Sequence, residues 1–410
     1  MTHQSRRSFI KNATLATAGA AILPEFLTAS QMQLHEAMKA ANIDNKVLVV
    51  IQLSGGNDGL NCVVPFKNDN YYKLRPKISI PKDELYEIND EVGFHSELKV
   101  FKDFYDQGIL SVINNVGYQN AEKSHIRAME IWQTASGTSE FNNRSGWIGR
   151  YLDHGCQPTC KKPYMAIEMD DALNLALKGD KVKGLAFIDP TRTYNHFNNN
   201  FYKEVAKIRE DAPEGTPLHF LYKTLSDSLS SVNHIYERSK IFKTKTPYPL
   251  TQFGVDLRTV AELIISNMET KVYYVSLPGF DTHVDQLPKH EKILAKFADG
   301  MKSFIKDLKA NKRLEDVMIM GFSEFGRSVK ENESEGTDHG LANNVFLISG
   351  GLKKKGLFNA MPTLANEQLD DNCLRAGVDF KSIYATILKH WLSADDKHVL
   401  GREYGYLDFV

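Results

Sequence analysis

VYYVSLPGFDTH (residues 272–283), VMIMGFSEFGR (residues 317–327) and GTDHG (residues 336–340) decide how this chain is read. The first two are short apolar runs that break off into Gly, Asp and Ser. Runs of that length with that ending are buried parallel strands giving way to loops. In an open α/β sheet, ligands bind outside the carboxyl ends of such strands. Asp281, His283, Glu324, Asp338 and His339 all collect there. Carboxylates mixed with imidazoles suit a divalent cation or acid–base chemistry.

Working outward, the same grammar repeats. VLVVIQL (residues 47–53) runs into SGGNDG (residues 54–59), a turn-forming cluster that puts Asp58 at a strand end. Further short apolar runs at 109–116, 164–169, 184–188 and 345–349 are strands, and helical periodicity appears at 96–107, from about 124, at 290–309 and at 381–392. This alternation predicts an α/β fold, a mainly parallel sheet sandwiched by helices. Residues from about 200 to 267 differ, being polar, helical in period and interrupted by Pro213, Pro217, Pro247 and Pro249. They are read as a helical insertion within a single domain, 47–410.

The amino end is not fold. Ser5-Arg6-Arg7-Ser8-Phe9-Ile10-Lys11 is a twin-arginine signature, followed by a modestly apolar stretch and the small residues Thr28-Ala29-Ser30. Residues 1–30 are therefore expected to be an export signal for the twin-arginine (Tat) translocase, and 31–46 a linker. Removing the signal leaves no transmembrane anchor, and the expected destination is the periplasm or beyond. In that oxidising setting the four cysteines can pair, with Cys156 and Cys160 the natural couple by proximity and free buried thiols the other option. The formal net charge of −1 shows no basic excess, which argues against a nucleic-acid partner and for a small-molecule or protein one.

Each candidate residue carries an ordinary reading beside the chemical one. Asp58 is good turn chemistry or a metal ligand. Ser124 is an N-cap, or a hydroxyl nucleophile at a helix start where an anion is favoured, with Arg127 one turn on as its clamp. Glu324 ends an apolar strand and needs a partner, either Arg327 or a cation. His290 opens a helix and is read as surface. Cys156-Gln157-Pro158-Thr159-Cys160 nearly matches the C-x-P-x-R motif that sulfatases mature, but lacks its Arg and is taken as accidental.

Together, the twin-arginine leader, LSGGNDG (residues 53–59), SHIRAMEIW (residues 124–132), GFDTH, SEFGR and TDHG resemble an exported bacterial family carrying a domain of unknown function. That family is similar to the alkaline phosphatase and sulfatase superfamily. The resemblance implies that superfamily's fold, with one or two divalent metals (zinc, calcium or manganese) held by Asp58, Asp281, His283, Glu324 and His339, and with the Asp338-His339 pair as a candidate substitute for a missing ligand pair. It implies Ser124 as nucleophile and a small anionic ester as substrate. The superfamily commonly places Asp-His after the later strand, whereas Glu324-Phe325 stands here. The expected function is an exported metal-dependent hydrolase of phosphate or sulfate esters; the alternative is an exported non-catalytic binding or assembly protein with a decayed site.

Overall fold

The computed structural model describes residues 45–138, 144–156, 160–207, 213 and 215–410. The export signal and most of the linker lie outside the described residues. Among the described residues no helix is long and apolar enough to cross a membrane.

Nine strands build the main sheet: β1 (Val47–Ser54), β2 (Leu110–Gly117), β3 (Ala166–Glu168), β4 (Leu185–Ala186), β5 (Val272–Pro278), β6 (Val317–Phe322), β7 (Asn343–Ile348), β8 (Gly356–Leu357) and β9 (Val378–Asp379). Their order is β8-β2-β7-β6-β1-β5-β3-β4, with β9 also paired to β2. β1 sits at the centre, parallel to both β5 and β6, and only β7 runs against the rest. Val47, Leu48, Val49, Val50 and Ile51 are all buried, so β1 is covered on both faces, as its unbroken apolar run requires. The fold is the expected α/β sandwich, and two of the three buried apolar clusters among the described residues lie one on each face of the sheet. Val49 and Ile51 belong to the cluster that takes in helices α4 (Gln252–Ile265) and α5 (Gln286–Ala310), while Leu48 and Val50 belong to the cluster that takes in α2 (His125–Thr134) and α6 (Phe380–Thr386). The remaining two helices used below are α1 (Lys99–Asp106), on the first face, and α3 (Pro217–Ser239).

The region read as a helical insertion divides. α3 leaves Leu218, Phe220 and Leu221 largely exposed, whereas α4 buries ten residues and packs along α5. The segment's last helix thus forms part of the core layer. Its polar look came from the prolines and turns ahead of it. Cys156 and Cys160 are joined in a disulfide, and Cys62 and Cys373 remain thiols.

The glycines at the end of β1 shape the site. Gly55 (φ +120°) and Gly56 (φ +75°) adopt backbone that side chains avoid. A Cβ on Gly55 would sit 2.5 Å from the Asp281 nitrogen, and one on Gly56 would sit 2.4 Å from the Phe325 ring. Only glycine lets the three strand-end loops close on one another.

Candidate metal centre

The loops after β5 and β6 and the start of α2 converge above the sheet. Asp281 and His283 follow β5, and Glu324 follows β6 directly. His339 comes back on a loop that bridges to Arg327 in antiparallel fashion. His125 is the first residue of α2. His125, Asp281 and His339 offer one ligand atom each within 4.8 Å of one another.

The separations fit one small cation. Asp281 Oδ1 lies 3.1 Å from His283 Nε2 and 3.3 Å from His339 Nε2, and Asp281 Oδ2 lies 3.6 Å from His125 Nε2. His283 Nε2 and His339 Nε2 are 2.9 Å apart. Donors at about 2.0–2.1 Å from a tetrahedral ion stand about 3.3 Å from each other, close to the spacing of each histidine from the Asp281 carboxylate. The set that closes within 4.8 Å is His125, Asp281 and His339, and His283 adjoins it through Asp281 and His339. His125 Nε2 is buried and makes no hydrogen bond. Buried without a hydrogen bond and 3.6 Å from the Asp281 carboxylate, that nitrogen is available to a cation.

The far nitrogen of each ring is tied down. His125 Nδ1 faces Glu324 Oε1 at 2.8 Å, His339 Nδ1 faces the Lys123 carbonyl at 2.7 Å, and His283 Nδ1 is 3.4 Å from Asp338 Oδ1. This outer arrangement, ring N–H to carboxylate or carbonyl, fixes the tautomer and orientation of metal-binding histidines. Glu324 is fully buried and also accepts from the Gly55 N–H (2.9 Å) and the Ser323 hydroxyl (3.2 Å). It works one shell out, orienting His125 while leaving the cation to others.

Arg327 turns out to be the staple of the site. It donates to the carbonyls of Gly55, Gly56, Phe280 and Thr337 and, at 2.7 Å, to Asp281 Oδ1. It pairs with Asp281, so the alternative Arg327–Glu324 pairing is not the one formed. Burial alone would raise the Asp281 carboxyl, but the Arg327 hydrogen bond and charge outweigh it and hold the group at about 2. Asp281 is therefore an anion at any physiological pH. The hydrogen bond that His125 donates to Glu324 raises the His125 pKa, while burial lowers that of His339.

Phe325 lines the floor. Its ring lies 4.8 Å from the His125 centroid and 4.7 Å from that of His339. A buried phenyl ring offers no donor atom to an ion.

Three expected site residues have other occupations. Asp58 is buried and bound to Arg75 at 2.7 Å, to Gln286 at 2.5 Å and to the Leu60 N–H at 3.2 Å. Burial would raise its pKa, but the Arg75 charge prevails and lowers it. It anchors the Gly-rich turn from beneath and stands outside the group of converging donors. Arg127 is held by Glu130 and the carbonyls of Gly137 and Thr138, so it braces the end of α2. Asp338 is 72% exposed and reaches the centre only through His283. Ser124 is exposed at the N-cap of α2, and its hydroxyl makes no capping bond.

His125, one residue beyond Ser124, is the member of the converging donor set that the sequence reading does not single out. A His beside a candidate hydroxyl at a helix start was the available signal. His290 is also not a surface residue. It is fully buried, 2.9 Å from Asn57 Oδ1, and burial pushes its pKa down to about 3.

Comparison with known proteins yields likenesses of fold. The chain is similar to the lipoteichoic acid synthase LtaP from Listeria monocytogenes (11% identity, TM-score 0.37, covering 89% of this chain and 74% of that one). It is similar to the PsFucS1 sulfatase from Pseudoalteromonas sp. (11% identity, TM-score 0.37, covering 94% and 74%). A cold-active alkaline phosphatase from Shewanella sp. shows 9% identity and a TM-score of 0.30 over 88% of this chain and 81% of that one. No curated protein matches the sequence significantly. Residues 257–406, which carry Asp281, His283, Glu324 and His339 but not His125, match the family model described as "Protein of unknown function (DUF1501)".

Proposed function

We propose that the chain is a metal-dependent hydrolase of phosphate or sulfate esters, exported under its twin-arginine leader. The observation that carries this is the convergence of His125, His283 and His339 on the Asp281 carboxylate, with each far ring nitrogen anchored. An imidazole-rich set suits zinc better than calcium or manganese, which favour oxygen donors. A cation so held would polarise an ester oxygen and offset the charge that develops on it.

The chain's own residues supply the rest. Ser124 presents a hydroxyl at the amino end of a ten-residue helix, where backbone N–H groups favour an anion. Arg327 keeps Asp281 charged and in place, Glu324 fixes the His125 ring, and Phe325 closes the floor to water. The centre is proposed to hold one ion.

A second reading, a binding or assembly protein on the same fold, draws on Arg127. Its guanidinium is engaged by Glu130 and two carbonyls, which leaves the expected anion clamp occupied. Purifying the protein without chelator, measuring bound metal, and assaying aryl phosphate and aryl sulfate for wild type and Ser124→Ala separates the readings. Metal with turnover that Ser124→Ala abolishes is expected. Metal without turnover favours the binding protein, and unaltered turnover in Ser124→Ala removes the nucleophile.

A further inference from the structure

A concavity of about 710 Å³ opens at the carboxyl ends of β1, β3 and β5, lined by residues adjoining the metal centre in the chain and not by its own side chains. Its position relative to the ligands follows from α2. His125, Met129 and Gln133 are spaced four residues apart, which places them on one helix face, and the latter two line the cleft. Gln133 is thus about 12 Å along the helix axis from the metal-facing histidine. On the sheet side, Gln52 and Ser54 line the same cleft just before Gly55, whose N–H holds Glu324.

Its polar lining is carboxyls and amides. Glu168 is buried and takes both hydrogen bonds of Asn174, N–H and side-chain amide, at 2.6 Å each. Asp256 is buried, accepts from Gln252 Nε2 at 2.7 Å, and its other oxygen has no hydrogen-bond partner among the described residues. Gln52 accepts from the Tyr274 hydroxyl at 2.5 Å. The exposed Asp170 and Lys296 stand at the rim, and Met169, Leu173, Phe253 and Leu277 supply apolar wall.

We propose that this cleft receives the alcohol half of the ester and selects an uncharged, hydroxyl-rich alcohol, a cyclic polyol in chemical class. The inference rests on the ester-hydrolase reading of the metal centre, which it deepens. Carboxyl and amide groups side by side offer donors and acceptors at short spacing, the pattern neighbouring hydroxyls complement. An alkyl alcohol would strip water from Glu168, Asp256 and Gln133 without replacing its hydrogen bonds. An anionic alcohol would meet three carboxyl groups against one lysine. A cationic one gains little: burial raises Glu168 to about 7 and Asp256 to about 6, so both interior acids are largely protonated in mildly acidic solution. The remaining pair at the rim, Asp170 and Lys296, cancels.

The test needs neither metal nor turnover. Full-length protein is titrated at about pH 5 with myo-inositol, choline and 1-hexanol, with binding read by saturation-transfer NMR. Inositol is expected to bind, and choline and hexanol are not. Gln133→Ala and Asp256→Asn are each expected to weaken inositol at least tenfold while leaving the thermal midpoint within a few degrees. If Asp256→Asn fails to fold, the half-exposed Gln133 carries the test alone. Absence of inositol binding, stronger binding of choline or hexanol, or inositol binding indifferent to Gln133→Ala overturns the proposal. A protein that binds inositol but hydrolyses no aryl ester keeps the cleft and loses the hydrolase, so the two failures are separable.

Discussion

Replacing Asp58 by Asn tests the division of labour between the turn and the metal centre. Asp58 and Arg75 lie 2.7 Å apart with side chains 1% and 0% exposed. At that distance their attraction is about 6 kcal/mol for an effective dielectric constant of about 20. Much of this only offsets desolvation, but removing one charge strands the other. Arg75 would keep Asn61 and the carbonyls of Ser328 and Val329, all neutral. A buried guanidinium left that way costs about 3–5 kcal/mol. Urea unfolding followed by circular dichroism should therefore show a loss of that size in Asp58→Asn. Arg75→Met combined with Asp58→Asn should recover part of it, because neither charge is then stranded. Zinc affinity of the folded variant, by calorimetry, should stay within about threefold of wild type, since Asp58 is no ligand. A variant of normal stability that has lost its metal would refute this reasoning and return Asp58 to the ion.

Other predictions follow from the same geometry. Glu324→Gln should weaken metal binding about 10–100-fold by loosening the His125 ring, a smaller effect than His125→Ala, and competition with a chelator measures both. Phe325→Ala should cost about 3–5 kcal/mol in thermal or chemical unfolding, from lost burial and the cavity left under two imidazoles. His290 titrates at about 3 when folded and near 6.5 when unfolded, so the unfolded chain binds the extra proton between those values. Its contribution to stability is intact above pH 6.5 and falls as pH drops toward 3, at up to about 1.4 kcal/mol per pH unit. Burial raises Glu168 and Asp256, which contribute with the opposite sign over part of that range, so the comparison must be with His290→Gln. The difference in slope between the two proteins should be about one proton; equal slopes would show His290 to be solvated.

The strand-end clusters were legible because a parallel sheet gathers the carboxyl ends of its strands on one edge. That logic placed Asp281, His283, Glu324 and His339 together without any knowledge of contacts. It also collected Asp58, which lies at a strand end too, and here it failed. Whether that carboxylate turns toward the loops or beneath them depends on Arg75, seventeen residues on, and no local pattern announces that pairing. Glu324 was placed but its role was one shell off, for its distance from the donors depends on how deeply α2 settles. His125 was hidden by its neighbour, since a serine at a helix start draws attention first. His290 had a readable signal that was missed. Gln286, His290, Leu294 and Phe297 recur at helical spacing along one face of α5, and all four are buried.

The central claim is one cation held among His125, Asp281, His283 and His339. Calorimetric titration of chelator-stripped full-length protein with zinc tests it most directly. The account predicts one equivalent bound, lost in His125→Ala and in Asp281→Asn and retained in Asp58→Asn. Two equivalents, or binding that survives both His125→Ala and Asp281→Asn, would contradict it.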